Sequence, residues 1–198
     1  VHDRFTCYRH DPSDWTSVSD DRIAAIVGDP DGHLWLSTSG GGLNRFDPVT
    51  GKCSRIRFSP DSASNAAART LFCLLRDRTG FLWIGTYTMG LLRYDPGRGI
   101  WARWHHDPVD GRSLSDDRVL SLCEDRDGGL WVGTWGGGLN RFDSTRGDFT
   151  RYRHDVRDST SLPGDVVRAL LEDRRGDLWI GTVGGGAARF DRASNHFV

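Results

Sequence analysis

Short apolar runs bounded by Gly- and Asp-rich turns recur along the whole chain, at the spacing expected of β-strands. In the first window they are Ile23–Val27, Leu34–Thr38, Leu43–Asp47 and about Lys52–Phe58. They are runs A to D of one unit. Run B carries apolar residues on both alternation faces, Leu34 and Leu36 on one and Trp35 on the other. A sheet with one wet face would alternate cleanly, so this sheet is expected to be covered on both sides. No stretch shows a helical period of useful length.

The pattern repeats at a fixed interval. Trp35, Trp83, Trp131 and Trp179 stand 48 residues apart, with no insertion or deletion between them. Asp29, Asp77, Asp125 and Asp173 close run A, and Gly32, Gly80, Gly128 and Gly176 mark the turn into run B. A period of this size marks a repeat architecture in which one unit cannot bury its apolar surface alone. Four-stranded antiparallel units of this length, each sandwiched between neighbours, describe an all-β β-propeller. A β-solenoid would need shorter repeats. The four tryptophans are then expected to be wedges between blades. The small residue two positions on (Ser37, Gly85, Gly133, Gly181) is expected to leave room for a ring.

The repeated string D-x-x-G-x-L-W-[IVL]-G-T-x-x-G-G-L-x-R-[FY]-D resembles the two-component regulator propeller repeat. It is seen best at Asp125, Gly128, Leu130–Thr134, Gly137–Leu139, Arg141–Asp143 and Gly147, and Ser113–Ser115 with Val119 fits the approach to the next blade. Departures are Ser37 for Gly, Thr88-Met89 for a Gly pair, and Ala187-Ala188 for Gly-Leu or Leu-Asn. The resemblance covers essentially the whole chain. It implies part of a larger ring, seven-bladed in the family, from the periplasmic sensor region of a bacterial membrane receptor with a histidine kinase or diguanylate cyclase output. Some members sense carbohydrates. No kinase, receiver or cyclase sequence is present among the 198 residues.

The expected organisation is a single propeller region over 1–198. Run D of a preceding blade occupies 1–20, blades follow at 21–68, 69–116 and 117–164, and an incomplete last blade takes 165–198. The single Met is Met89, so the chain reads as a piece or processed product. Arg4–His10 is an alternative closing strand for the last blade, which would give a four-bladed ring or an eight-bladed homodimer through unpaired blade edges.

Composition narrows the function classes. Net charge is −1 with a pI near 6.7, without the basic excess of a nucleic-acid-binding face. Lys52 is the one lysine, and Glu124 and Glu172 are the two glutamates, which disfavours long surface helices. No apolar run approaches the ~20 residues of a membrane span, so membrane attachment would come only through segments outside this piece. Cys7, Cys53, Cys73 and Cys123 form no C-x-x-C pair, and Cys73 and Cys123 read as buried thiols. His10, His106 and His154 recur a blade apart and read as capping residues; no metal or cofactor is expected. The Gly triplets at 40–42, 136–138 and 184–186 lack the Lys and Ser/Thr of a phosphate loop.

Candidate binding residues lie where the repeat is broken. The B–C tip is Ser39, Tyr87, Trp135 and Val183 in the four units, and the D–A crossover carries Trp15. Trp135, Tyr87 and Trp15 would stack on a sugar or another flat ligand. Arg118 and Arg22, beside Asp117 and Asp21, would add polar contacts at the channel mouth. Arg45, Arg93, Arg141 and Arg189 are shared by every blade and read as a repeated ion pair or hydrogen bond. The leading reading is a non-catalytic sensor segment that takes a small molecule or oligosaccharide. The alternatives are a carbohydrate-active lyase or hydrolase and a protein–protein scaffold.

Overall fold

The computed structural model describes residues 5–58 and 66–198. Among the described residues, sixteen strands form four antiparallel sheets. Blade 1 is β1 (Ile23–Gly28), β2 (Leu34–Thr38), β3 (Gly42–Asp47) and β4 (Lys52–Ile56). Blade 2 is β5 (Leu71–Arg76), β6 (Leu82–Thr86), β7 (Leu91–Asp95) and β8 (Ile100–Trp104). Blade 3 is β9 (Val119–Glu124), β10 (Leu130–Thr134), β11 (Leu139–Asp143) and β12 (Asp148–Tyr152). Blade 4 is β13 (Val167–Glu172), β14 (Leu178–Thr182), β15 (Gly186–Asp191) and β16 (His196–Phe197). Each sheet is a simple meander in chain order. The expected β-propeller fold is therefore what the chain forms. Two compact units result, residues 1–71 and 72–198.

The repeated aspartate explains the first turn. Asp125 Oδ1 accepts the amides of Asp127 and Gly129, and its Oδ2 accepts the Trp131 indole N–H at 2.8 Å. Asp29, Asp77 and Asp173 bind Trp35, Trp83 and Trp179 in the same manner, at 3.1, 2.7 and 3.0 Å. One carboxylate thus closes the A–B turn and anchors the blade's tryptophan. The aspartate that ends the third strand does equivalent work at the C–D turn: Asp143 accepts the amides of Thr145 and Arg146. The preceding arginine is not its ion-pair partner. The Arg93 and Arg141 guanidiniums instead lie over the Trp83 and Trp131 rings at 5.5 and 5.4 Å, from register positions directly opposite on the neighbouring strand.

Within the second unit the tryptophans act as wedges between blades. Trp83 meets Phe142 of blade 3 at 5.3 Å, and Trp131 meets Phe190 of blade 4 at 5.1 Å, both edge-on. Trp131 is fully buried, whereas Trp179, in the last blade, is 41% exposed. Leu171 on the same sheet is 62% exposed. The glycine two residues after the tryptophan does not make room for a ring. A Cβ on Gly133 would lie 2.6 Å from Val167 Cγ1 and 2.8 Å from its carbonyl, in the first strand of the next blade. Gly85 meets Val119 in the same way. The small residue lets the second strand of one blade lie close against the first strand of the next, and β9 and β13 make the broadest contact between neighbouring blades.

In the first unit, residues 5–10 form no strand ladder. Tyr8 nevertheless packs edge-on against Phe46 at 4.7 Å. Trp104 makes the same contact to Phe142 at 5.0 Å, and Tyr152 to Phe190 at 5.3 Å. Phe5, at a position equivalent to the buried Cys53, Phe149 and Phe197, is 99% exposed.

Candidate functional site

The crossover before each blade is a built loop. In the second unit His106 donates to two fixed partners: its amide bonds Asp117 Oδ1 at 2.7 Å, and its Nδ1 donates to the Leu114 carbonyl oxygen at 2.9 Å. His154 repeats this with Asp165 and Leu162. In the first unit His10 does so with Asp21 and Val18. The recurring histidines therefore hold the crossover, as a capping role requires. Arg151 threads the loop before blade 3, donating to the carbonyls of Ser113 and Asp110. Asn140 pairs with the backbone and hydroxyl of Ser115 beneath it.

On this rigid end the structure gathers three of the expected residues. The Trp135 amide donates to the Arg118 carbonyl at 3.0 Å, so the tip of blade 3 and the start of its first strand are tied together. Arg118 is within electrostatic reach of the Tyr87 phenol on blade 2. Tyr87 is half-exposed and braced edge-on by Phe72 at 5.6 Å, and Trp135 is 45% exposed. Arg118 pairs with Asp116, not with Asp117. Its Nε and Nη2 donate to the two Asp116 oxygens at 3.0 and 2.7 Å. Burial pushes the Asp116 carboxyl up, but the Arg118 fork outweighs it and holds the group below the usual carboxylate range. The ensemble is two aromatic faces beside a fixed guanidinium–carboxylate pair.

The other two candidates belong to the first unit. Arg22 makes the same bidentate pair with Asp20, at 3.0 and 2.9 Å, rather than with Asp21. Trp15 is 66% exposed, but one of its faces is covered by the Arg55 guanidinium at 4.2 Å. Among the described residues, no group of three or more His, Cys, Asp or Glu is placed to hold a metal ion.

Sequence reasoning missed the opposite end of the blades. There a cleft of about 650 Å³ opens between blades 2 and 3, formed by the A–B turns of both and the C–D turn of blade 3. Asp77, Glu124, Phe81, Trp83, Phe142 and Ser144 are among its lining residues. A signal was present in the sequence: Ser144 is the position at which blade 4 carries Arg192.

The two component regulator propeller family matches four segments, residues 17–40, 67–88, 113–136 and 161–184. The chain carries four segments that match this repeat, one at the crossover and first two strands of each blade. Among curated proteins no sequence match is found. Two similar solved structures are extracellular domains from B. thetaiotaomicron. One, described as that of the one-component system BT4673, is 26% identical with a TM-score of 0.69, over 86% of this chain and 21% of that one. The other, described as that of the hybrid two-component system BT3049, is 24% identical with a TM-score of 0.64, over 89% and 29%. Virginiamycin B lyase from Staphylococcus aureus is 15% identical with a TM-score of 0.65, over 90% and 55%, and shares the fold alone. The chain thus spans well under a third of the extracellular domains it resembles.

Proposed function

We propose that this chain is a non-catalytic, ligand-sensing propeller segment of an extracytoplasmic bacterial receptor. The observation that carries the reading is the run of four two component regulator propeller repeats, joined with similarity to receptor extracellular domains. By family resemblance the location is periplasmic, the output is a histidine kinase or diguanylate cyclase, and the four blades are part of a larger ring. The ligand is a small molecule or oligosaccharide held at the crossover end. Tyr87 and Trp135 supply stacking faces there, and Arg118 with Asp116 supplies fixed polar groups; Arg22 with Asp20 is the corresponding pair of blade 1, where Trp15 of the crossover offers the aromatic face. A flat, hydroxylated ring suits this chemistry, since aromatic faces take its apolar side and an ion pair its hydroxyls.

Neutral hexasaccharides (cellohexaose, xylohexaose and maltohexaose) titrated into the native chain, Trp135→Ala and Tyr87→Ala test this. Loss of affinity by tenfold or more in either variant supports the site. Affinity unchanged in both removes it. A lyase reading has only a shared fold behind it, and the charges that would carry such chemistry are mostly common to several blades.

A further inference from the structure

The two clefts between successive blades of the second unit differ in what the first residue of the C–D turn sends into them, Arg192 in one and Ser144 at the equivalent position of the other. Between blades 3 and 4, Arg192 reaches back from the C–D turn of blade 4. Its Nη1 donates to Asp125 Oδ2 at 2.9 Å and its Nη2 to Glu172 Oε1 at 3.1 Å. The Asp125 carboxylate is fully buried and that of Glu172 is nearly so. Burial alone would raise the Asp125 carboxyl; bonds from Trp131, Arg192 and Gly129 hold it low instead.

Between blades 2 and 3 the same construction stands without its plug. Asp77 and Glu124 occupy the positions of Asp125 and Glu172. Glu124 keeps the arginine that Glu172 also has: the Arg78 amide donates to Glu124 Oε2 and its Nε to Oε1, both at 3.0 Å, matching the Arg126–Glu172 pair. Asp77 keeps its turn amides and its bond to Trp83. The second guanidinium is replaced by Ser144, whose side chain is too short to reach. What remains is the cleft of about 650 Å³, with both carboxylates and the apolar faces of Phe81, Trp83 and Phe142 in its wall. The lining arginines are already engaged: Arg93 is stacked over Phe81 at 4.6 Å, Arg141 over Trp131 at 5.4 Å, and Arg146 is paired with Asp143 and Asp148; Asp127 adds a further carboxylate to the wall.

We propose that this cleft binds a guanidinium on a short alkyl chain, either a free alkylguanidine or an arginine side chain of a peptide. The group donates to Asp77 Oδ2 and Glu124 Oε1 as Arg192 does to Asp125 and Glu172, and its alkyl chain lies on the aromatic wall. This cleft is separate from the crossover-end site, and one blade away the same chain ligates the same chemical group at an equivalent pair of carboxylates. A planar fork matched to two carboxylates favours guanidinium over ammonium.

Agmatine and N-acetyl-arginine amide titrated calorimetrically into the native chain test the proposal, with N-acetyl-citrulline amide as the uncharged control. Saturable one-to-one binding of either cation, with none of the citrulline compound, is expected. Tighter agmatine binding assigns the ligand to free cations, and tighter arginine amide binding to peptide side chains. Ser144→Arg supplies the plug within the chain; the C–D turns at Asp143 and Asp191 share their capping bonds, so the new arginine is aimed as Arg192 is. It should reduce affinity at least tenfold while the thermal midpoint stays or rises. Arg192→Ser should open a second cleft and raise the stoichiometry to two. Failure of both cations to bind by about 10 mM overturns the proposal. Undiminished binding to a folded Ser144→Arg chain also overturns it.

Discussion

Truncating Trp131 and Trp179 to alanine separates a wedge between blades from a ring on an open face. A buried indole removes ~150–250 Å² from water, worth on the order of 4–6 kcal/mol at ~25 cal/mol per Å² as an upper estimate. Measured Trp→Ala losses in packed cores run about 3–5 kcal/mol. Trp131 is fully buried against Tyr152 and Phe190, so Trp131→Ala belongs in that range. Trp179 is 41% exposed; its loss forfeits a smaller area and leaves a gap that water fills. Its cost is expected at about 1–2 kcal/mol. Trp131→Phe keeps a ring but withdraws the indole N–H from the buried Asp125, which costs about 1–3 kcal/mol for an acceptor left short of a donor. Urea unfolding followed by far-UV circular dichroism gives the losses. Hydrogen exchange of the same variants shows which blades open, since repeat arrays need not unfold in one step. Equal losses at the two positions, or a loss below about 1 kcal/mol at Trp131, would refute the wedge assignment.

Gly133→Ala forces a Cβ against Ser121 and the Val167 carbonyl and should cost about 1–3 kcal/mol in the same urea assay. Gly181→Ala, whose nearest neighbour would be the Ala169 Cβ at 3.2 Å, should be nearly neutral. Asp125 titrates below its ordinary value in the folded chain, so its contribution is present above the unfolded value of about 3.9 and lost as pH falls through the lower folded one. The stability gap between the native chain and Asp125→Asn should therefore narrow as pH falls below about 4; a gap independent of pH would contradict the bonding described. Burial pushes the Cys73 thiol up to about 12, while Cys7 is exposed. Iodoacetamide at pH 8 should label Cys7 and spare Cys73 until the chain is unfolded, as read by peptide mass spectrometry.

Strand placement was legible because a covered sheet needs apolar residues on both faces of its second strand, and Leu34-Trp35-Leu36 shows that directly. The reason for a recurring residue was less legible. Arg141 stands two before Asp143, yet the two do different things. Strand alternation sends the arginine across the sheet to Trp131, while the aspartate turns back on its own loop. Arg118 was expected beside Asp117 by adjacency, but a side-chain fork reaches the residue two before it, and Asp117 is taken by the His106 amide. In each case the neighbour in sequence was visible and the neighbour in space was not.

The same limit explains why the crossover end drew attention and the turn end did not. Exposed aromatics such as Trp135 and Tyr87 carry their chemistry in their own identity, so a broken repeat is noticed at once. Ser144 carries none. Its meaning lies in Arg192, 48 residues on, and in the fact that a C–D turn reaches back to the A–B turn of the blade before it. That relation is set by the packing of successive sheets, not by any spacing within one. In a repeat chain the side chains that build the fold are the ones that recur. A site arises either where a new group is added to the rule, as at Trp135, or where a group that satisfied its neighbours is withdrawn. The second kind leaves two carboxylates and an aromatic wall in place and removes the one cation that completed them.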